Sequence, residues 1–236
     1  MGYVPIFVDV GRKPCIVIGG GVIAEPKIRV LMEAGAFVTV VSPGLSPGIK
    51  EQAGSGKIRY LARDYKYGDL RGNALAYVAT HGPEIARCAA QEAHELVIPI
   101  NLIDDPEHSS FISPASFRRG HLQIAISTGG ASPAVARMLR EHLEEQIGPV
   151  YGLVLEIMRR TRQFLRNSEA DPQARSRTLK ALAGELLGSA AALDNVRIDE
   201  ALRVHLHASL GELGLEWEDG AMLLLGEAEP VALRLR

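Results

Sequence analysis

Three glycines interrupt an apolar run near the amino terminus, in the segment CIVIGGGVIAEPKIRV that begins at Cys15. Gly19, Gly21 and Ala24 fit the pattern G-x-G-x-x-A, in which backbone N–H groups and the positive end of a helix receive a pyrophosphate. Gly19 would allow a tight turn, Gly21 a close approach of the ligand, and Ala24 the packing of helix on strand. The pattern alone is weak, but its place between a predicted strand and a predicted helix favours a dinucleotide site over a structural turn.

The acid that usually holds the ribose of such a cofactor is missing. It is expected at the end of the second strand, where this chain has Ser42, Pro43 and Gly44. We expect the backbone of these three residues to contact the adenine ribose, with a simple loop as the alternative. Pro26, which lacks an N–H group, predicts that the helix after the glycines begins late.

A carboxylate follows a later predicted strand, in the segment NLIDDPEHSSFISP. Asn101 and Asp104 fall at the carboxyl end of that strand, where open α/β sheets bind their ligands. Asp104 could act as a general base that removes a proton while a nicotinamide accepts hydride. The sequence Asp-Asp-Pro is also ordinary turn chemistry, and composition and spacing alone favour the turn.

Further candidates lie around a second glycine turn, Thr128-Gly129-Gly130. Guanidinium groups bind carboxylates through paired hydrogen bonds, so Arg118, Arg119 and Arg137 predict a multiply carboxylated substrate. For Arg140, in the same cluster, an exposed helix face is an equal alternative. The turn itself could bind an anion or only reverse the chain.

Composition and charge argue against several other classes of protein. The formal net charge is only -2 and no long block of like charges occurs, which disfavours binding to nucleic acid or to a membrane surface. Cys15 and Cys88 are far apart and the histidines lack ligand spacing, so neither a disulfide nor a metal site is predicted. The first residues do not resemble a signal peptide and no apolar run is long enough to span a membrane, which predicts a cytoplasmic protein.

The elements that must position these residues follow from hydrophobic periodicity. Apolar strands alternate with helices through the first half of the chain, which predicts an α/β fold with a doubly wound parallel sheet. Strands are predicted around Ile16–Ile18, Phe37–Val41, Lys57–Arg63, Ala74–Ala79, Leu96–Asn101 and His121–Ser127, with helices after the first glycine turn and over about Pro83–Glu95.

The pattern changes after the second glycine turn. Ser132-Pro133 predicts the start of a helix that Gly148-Pro149 ends. The remainder is predicted to be a small helical domain, with helices over Val150–Arg166, after Asp171-Pro172, and over Asp199–Leu213. The last residues allow either a hairpin around Asp219-Gly220 or a loose helix.

Several stretches together resemble the precorrin-2 dehydrogenase family, the amino-terminal module of siroheme synthases that oxidises precorrin-2 to sirohydrochlorin. They are YVPIFVDV from Tyr3, CIVIGGGVIA from Cys15, LMEAGAFVTVVSP from Leu31, NLIDDPEHSSFISPA from Asn101 and IAISTGGASPAVARMLREHLE from Ile124. The resemblance is strong over the first two thirds of the chain and rests on architecture alone beyond them. It implies a Rossmann-type NAD-binding domain over residues 1–112, a dimerisation segment over 113–148 and a helical domain over 149–236, assembled as a homodimer.

The resemblance also implies roles for individual residues. Asp104 stands where the family places its catalytic aspartate. The candidate cofactor-binding residues in the glycine turn are Gly19, Gly21, Val22 and Ile23, of which the last three would meet the pyrophosphate. The others are Ser42, Pro43 and Gly44 on the adenosine side and Thr80 and Asn101 on the nicotinamide side. The candidate substrate contacts are Arg118, Arg119, Thr128 and Arg137. Thr128 replaces a serine found in some relatives, and Pro26 stands where the family often has a basic residue.

These features lead to one main hypothesis and two alternatives. The main hypothesis is NAD-dependent dehydrogenation of precorrin-2 to sirohydrochlorin, with Asp104 assisting proton removal. The first alternative is a bifunctional enzyme that also inserts ferrous iron into sirohydrochlorin; the macrocycle itself would hold the product iron, so the missing metal motif does not argue against it. The second alternative is a noncatalytic NAD-sensing module. The sequence does not decide between NAD and NADP.

Overall fold

The computed structural model describes residues 2–80, 82–167, 172–193, 215–218 and 221–224. The chain divides into two compact units, residues 1–113 and residues 114–236. No helix in the described part of the chain is long and apolar enough to cross a membrane.

The first unit is a parallel sheet covered by helices. Its strands are β1 (Pro14–Ile18), β2 (Phe37–Val41), β3 (Arg59–Leu61), β4 (Leu75–Val78) and β5 (Ile100–Leu102), and its helices are α1 (Glu25–Glu33), α2 (Pro47–Gly54) and α3 (Pro83–Leu96). The strand order is β3-β2-β1-β4-β5 and all pairs are parallel, which confirms the expected α/β fold. The order reverses between β1 and β4, and open sheets of this kind bind ligands outside the carboxyl ends of the strands at such a point.

Alternation along β1 explains why both faces of the sheet are covered. Val17 lies in a buried cluster with Ile28 of α1 and Ile49 of α2. Its neighbour Ile16 lies in a second cluster with Ala89 of α3. Successive side chains of a strand point to opposite faces, so a strand buried on both faces forms a continuous apolar run.

The predicted strand Leu96–Asn101 is wrong in its first half. Leu96 ends α3, and Val97 caps that helix in the left-handed region with a φ of +55°. The strand itself begins only at Ile100. An apolar run does not reveal where a helix ends within it: Leu96 and Val97 are apolar but exposed at the helix end, and burial resumes only at Ile100. The prediction also misses α2, whose eight residues are too few to show a helical period.

The second unit combines hairpins and helices. Its elements are β6 (Ala115–Arg119), β7 (Leu122–Ile126), α4 (Pro133–Gln146), α5 (Val150–Asn167), α6 (Pro172–Leu193), β8 (Leu215–Glu218) and β9 (Ala221–Leu224). The strand predicted near His121 is β7, and it pairs antiparallel with β6, which the sequence pattern does not predict. The antiparallel pairing of β8 with β9 favours the hairpin for the carboxyl-terminal segment. The helix predicted over Asp199–Leu213 lies outside the described residues.

Two glycines let the β6–β7 hairpin approach α5. A Cβ atom on Gly152 of α5 would lie 3.1 Å from the carbonyl carbon and oxygen of Arg119. A Cβ atom on Gly120, in the hairpin turn, would lie 3.3 Å from the Cα of Gly152, and Gly120 also has a φ of +57°. A side chain at either position would therefore press on the backbone of the other element.

Candidate active site

Four loops of the first unit meet at the carboxyl edge of the parallel sheet. They follow β1, β2, β4 and β5, and they contain the residues that the sequence analysis selects: Gly19–Ile23, Ser42–Gly44, Thr80 and Asp104. Because all five strands run in the same direction, these loops lie on one side of the sheet.

The glycine turn is fixed by contacts to two of these loops. Gly19 has a φ of +117°, and a Cβ atom there would lie 2.2 Å from the carbonyl oxygen of Ala79 after β4. A Cβ atom on Gly20 would lie 2.2 Å from the carbonyl oxygen of Gly44 after β2. The sequence pattern gives no role to Gly20, yet packing excludes a side chain there as firmly as at Gly19.

Gly21 differs from its two neighbours because its surroundings are open. A Cβ atom on Gly21 would meet no atom of the described residues within 4 Å. The following residues, Val22 and Ile23, expose their side chains. The open space above this turn is therefore available to a ligand.

The helix after the turn begins as the proline predicts. Ala24 is fully buried and acts as the N-cap of α1, and Pro26 lies in the first helical turn, where its missing N–H costs no helical hydrogen bond. No side chain in the described part of the chain caps this helix end. The N–H groups of Ala24 and Lys27 donate to the carbonyl oxygens of Gly21 and Ala24, so an anion at this positive helix end would meet the N–H of Glu25 and the turn before it.

The loop after β2 is tied to the glycine turn through its backbone. The N–H of Ser46 donates to the carbonyl oxygen of Gly20 at 2.7 Å. Ser42 is buried, and its hydroxyl donates to the carbonyl oxygen of Gly44 at 2.7 Å. Pro43 and Gly44 are the exposed part of the segment that the sequence analysis selects.

A carboxylate that the sequence analysis overlooks lies beside this loop. Glu25, in the first turn of α1, accepts a hydrogen bond from the hydroxyl of Ser46. A Cβ atom on Gly48 would lie 3.0 Å from its Oε1 atom. The negative charge absent from the end of β2 is thus present on α1, close to the start of α2.

An open cavity of about 220 Å³ joins the ends of β4 and β5 to the glycine turn. Its lining residues are Ile23, Ala79, Thr80, Pro83, Ala86, Ile103, Asp104 and Asp105. Ile23, Thr80 and Asp104, which come from three separate sequence segments, therefore share one cavity. The two aspartates are the ionisable residues among these eight.

Asp104 combines an exposed carboxylate with an unusual backbone conformation. Its φ is +61°, in the left-handed region that residues other than glycine rarely adopt. Aspartate and asparagine are the residues that tolerate this region best after glycine. Such conformations cluster at functional sites, and this one lies in the cavity wall.

The neighbouring Asp105 holds a histidine. Its Oδ1 and Oδ2 atoms each lie 2.9 Å from Nδ1 of His108, and Oδ1 also accepts from the backbone N–H of His108 at 3.2 Å. The hydrogen bond from His108 holds the pKa of the Asp105 carboxyl below its usual range. Neither residue was selected from the sequence, because the segment fits an ordinary turn.

Asn101 is not among the residues that line the cavity. Its Nδ2 atom donates to the carbonyl oxygen of Phe111 at 2.9 Å. The hydroxyls of Ser109 and Ser110 accept from the N–H groups of Leu102 and Ile100, so the returning chain satisfies the free edge of β5. Asn101 thus helps to fasten the segment that follows Asp104.

The candidate substrate contacts lie in the second unit, and they differ in how far other residues of the protein already bind them. Arg119 donates to the carbonyl oxygens of Glu144 and Ile147 at the end of α4, and its guanidinium lies over the Phe117 ring. Arg137 pairs with Glu141 on the exposed face of α4. Arg118 is exposed on β6.

Thr128 closes the second glycine turn. Its hydroxyl accepts from the N–H of Ser132 and lies 3.1 Å from the carbonyl oxygen of the same residue. Ser132 in turn caps α4 by accepting from the N–H of Val135 at 3.3 Å, as the sequence predicts.

Among the described residues, no group of three or more His, Cys, Asp or Glu side chains could hold a metal ion.

Comparisons with known proteins place this geometry in a family. Residues 6–115 match a family model described as "Putative NAD(P)-binding", and residues 119–146 match the model for the central part of sirohaem biosynthesis proteins. Siroheme synthase 3 of Aeromonas hydrophila subsp. hydrophila is 36% identical over 227 residues, which are 96% of this chain and 47% of that protein. Siroheme synthase of Methylococcus capsulatus is 35% identical over 243 residues, which are 100% of this chain and 50% of that protein.

A solved structure supports the fold. The chain titled "SirC, precorrin-2 dehydrogenase" aligns with a TM-score of 0.64 and 23% identity, over 80% of this chain and 100% of that one. The chain spans about half the length, or less, of the siroheme synthases that it matches. An NAD(P)-binding module followed by the central sirohaem segment is the arrangement of their amino-terminal region, and this chain belongs to that siroheme synthase family.

Proposed function

We propose that this chain is an NAD-dependent dehydrogenase that converts precorrin-2 to sirohydrochlorin in siroheme biosynthesis. The observation that carries the proposal is the cavity that brings Asp104 and Ile23 together at the switch point of the sheet. The family of the chain supplies the substrate class, and the cavity supplies a place where a dinucleotide and a carboxylate can meet.

The dinucleotide is held mainly by backbone. The N–H groups from Gly21 to Ile23 and the uncapped end of α1 receive the pyrophosphate, and the open space at Gly21 admits it. The N–H of Gly19 donates to the carbonyl oxygen of Val41, so Gly19 shapes the turn. Pro43 and Gly44 contact the adenosine, with Ser42 shaping the loop through its bond to Gly44. When bound, NAD⁺ supplies a hydride acceptor, and Thr80 lies on the side of the cavity assigned to its nicotinamide.

The charge beside the adenosine loop favours NAD over NADP. Glu25 brings a carboxylate next to Ser46 and Gly48, and a 2′-phosphate at the ribose would meet this negative charge. The ratio of kcat/KM for NAD⁺ and NADP⁺ tests this preference. Glu25→Gln should shift the ratio towards NADP⁺, and an unchanged ratio would contradict the role of Glu25.

Asp104 is the general base of the proposed reaction. Its carboxylate is exposed to the cavity, where it can take a proton from the substrate as hydride leaves for NAD⁺. Arg118 and Arg137 are the proposed contacts for the substrate carboxylates. Arg119 acts indirectly, because its bonds to the end of α4 fix the hairpin that carries Arg118. Thr128 likewise keeps the second turn in shape.

A homodimer is part of the proposal. Val135, Met138 and Leu139 are exposed on one face of α4, at the spacing of a helical interface. Burial of this face against a second copy would remove it from water. Sedimentation should show a dimer for the wild-type chain and a monomer for Met138→Glu, and a monomeric wild type would contradict this part.

The cofactor site is tested by two glycine variants. Gly21 and Gly54 both lack a positive φ and have no described atom within 4 Å of a built Cβ, so alanine should fit at either position. Gly21→Ala should weaken NAD⁺ binding by at least about tenfold, a free-energy change of about 1.4 kcal/mol. Gly54→Ala should leave NAD⁺ binding unchanged. Wild-type affinity in Gly21→Ala would refute the pyrophosphate site.

The reaction is tested by anaerobic incubation with precorrin-2 and NAD⁺, following the absorbance of both sirohydrochlorin and NADH. Asp104→Asn should keep NAD⁺ binding and lose about 10²- to 10⁴-fold in kcat, the usual contribution of general base catalysis. Glu107→Gln, in the same exposed loop, should retain full activity. NAD⁺ binding without turnover in the wild type would favour a noncatalytic module instead.

A further inference from the structure

A histidine connects the wall of the cavity to solvent. Asp104 and Asp105 both line the cavity, and Asp105 is bonded to the imidazole of His108 at 2.9 Å. The side chain of Asp105 is 34% exposed and that of His108 is 55% exposed. The pair therefore reaches from the cavity wall to the protein surface.

Asp105 fixes which imidazole nitrogen is basic. The pKa of Asp105 is lowered by its hydrogen bond with His108, so this carboxylate stays ionised and accepts a hydrogen bond from Nδ1. An imidazole that donates from Nδ1 carries its lone pair on Nε2. His108 is thus oriented by a carboxylate, as histidines that exchange protons commonly are.

The turn itself does not need this imidazole. Asp105 closes the turn by accepting from the backbone N–H of His108, and the Ser109 hydroxyl donates to the carbonyl oxygen of Asp105 at 2.7 Å. Any residue except proline at position 108 could provide the backbone bond. The turn does not require the side-chain hydrogen bond between His108 and Asp105, so that bond needs another explanation.

We infer that His108, held in place by Asp105, accepts the proton that Asp104 removes from the substrate and releases it to water. The inference rests on the proposed function. In that reaction the substrate loses a hydride, with two electrons, to NAD⁺ and a proton to the Asp104 carboxylate. The proton then passes to Nε2 of His108, directly or through water in the cavity, and leaves the imidazolium for buffer. Asp104 returns to its ionised form for the next turnover.

The test is chemical rescue at fixed pH and low buffer concentration. His108→Ala should lower kcat by at least about tenfold, less than the loss of a direct general base. The KM for precorrin-2 and the affinity for NAD⁺ should stay the same, and added imidazole should restore kcat in a saturable manner. Asp105→Asn should lower kcat in the same way, because the imidazole loses its positioning group. Glu107→Gln is the matched control. Its kcat should equal that of the wild type and should not change when imidazole is added.

The outcomes separate the inference from the proposed function. Full kcat in His108→Ala at low buffer concentration overturns the inference alone, since the wild type remains an active dehydrogenase. A loss of kcat that imidazole does not restore, or that comes with weaker NAD⁺ binding, means a structural role and also overturns it. A wild type that binds NAD⁺ but forms no NADH from precorrin-2 defeats the proposed function and the inference together.

Discussion

The most sharply testable contact for stability is a buried carboxylate on α3. Glu92 is 1% exposed, and its side chain accepts three hydrogen bonds from the segment between β3 and β4. Oε1 accepts from the N–H of Leu70 at 3.0 Å, and Oε2 accepts from the N–H of Gly68 at 2.9 Å and from the Tyr65 hydroxyl. Burial and the bond to Glu92 raise the pKa of Tyr65, so this hydroxyl stays protonated and donates.

The Glu92→Gln substitution leaves one of these donors without an acceptor. A carboxamide has a single oxygen, so its NH₂ group must face the N–H of either Leu70 or Gly68, whichever way it is turned. A buried donor without a partner costs about 1–3 kcal/mol, and the remaining bonds lose their charge assistance. We expect the free energy of unfolding to fall by about 2–4 kcal/mol in total.

Glu95→Gln provides the matched control. Glu95 lies on the same helix and also accepts from a tyrosine hydroxyl, that of Tyr67, but it is exposed. Urea unfolding followed by circular dichroism should show a large loss for Glu92→Gln and a much smaller one for Glu95→Gln. Amide exchange at Gly68 and Leu70 should rise only in Glu92→Gln. Equal effects of the two substitutions would refute the argument from burial.

Three further predictions concern the second unit. The Thr161 hydroxyl of α5 is buried without a hydrogen-bond partner among the described residues. Thr161→Val should therefore raise the free energy of unfolding by about 1 kcal/mol, and the thermal midpoint with it. Gly152→Ala should lower the midpoint because its Cβ would press on the Arg119 carbonyl, whereas Gly188→Ala, in open surroundings on α6, should raise it. The hydrogen bond from Arg159 lowers the pKa of Glu156 from 4.5 to about 2, so its contribution to stability is complete above pH 4.5. That contribution should disappear between pH 4.5 and pH 2, and acid titration of Glu156→Gln should lack this loss.

The strand, glycine turn and helix on either side of Ile23, which lines the cavity, are predictable because their determinants are local. Cys15–Ile18 is a continuous apolar run, and Gly19 and Ala24 occupy positions where a side chain would clash or must be small. The late helix start follows from Pro26 alone. In such segments a residue and its neighbours in sequence determine the conformation.

Other parts depend on contacts that are distant in sequence. Gly20 is required by the carbonyl oxygen of Gly44, and Ser109 and Ser110 matter only because β5 has a free edge. Arg119 could bind a carboxylate, but its guanidinium instead donates to two carbonyl oxygens at the end of α4. No sequence pattern within one segment reveals which partner a polar side chain will meet after folding.

The backbone of Asp104 limits how its chemistry can be altered. Alanine at a φ of +61° would lose the carboxylate and also incur about 1–2 kcal/mol of steric strain, so its effect would mix two causes. Glutamate would keep the acid but not the short side chain that suits this conformation. Glycine would relax the loop as it removes the charge. Asparagine removes the charge and keeps the short side chain, so it separates the two effects. The proposed catalytic role and the loop geometry therefore both restrict this position to the same few residue types.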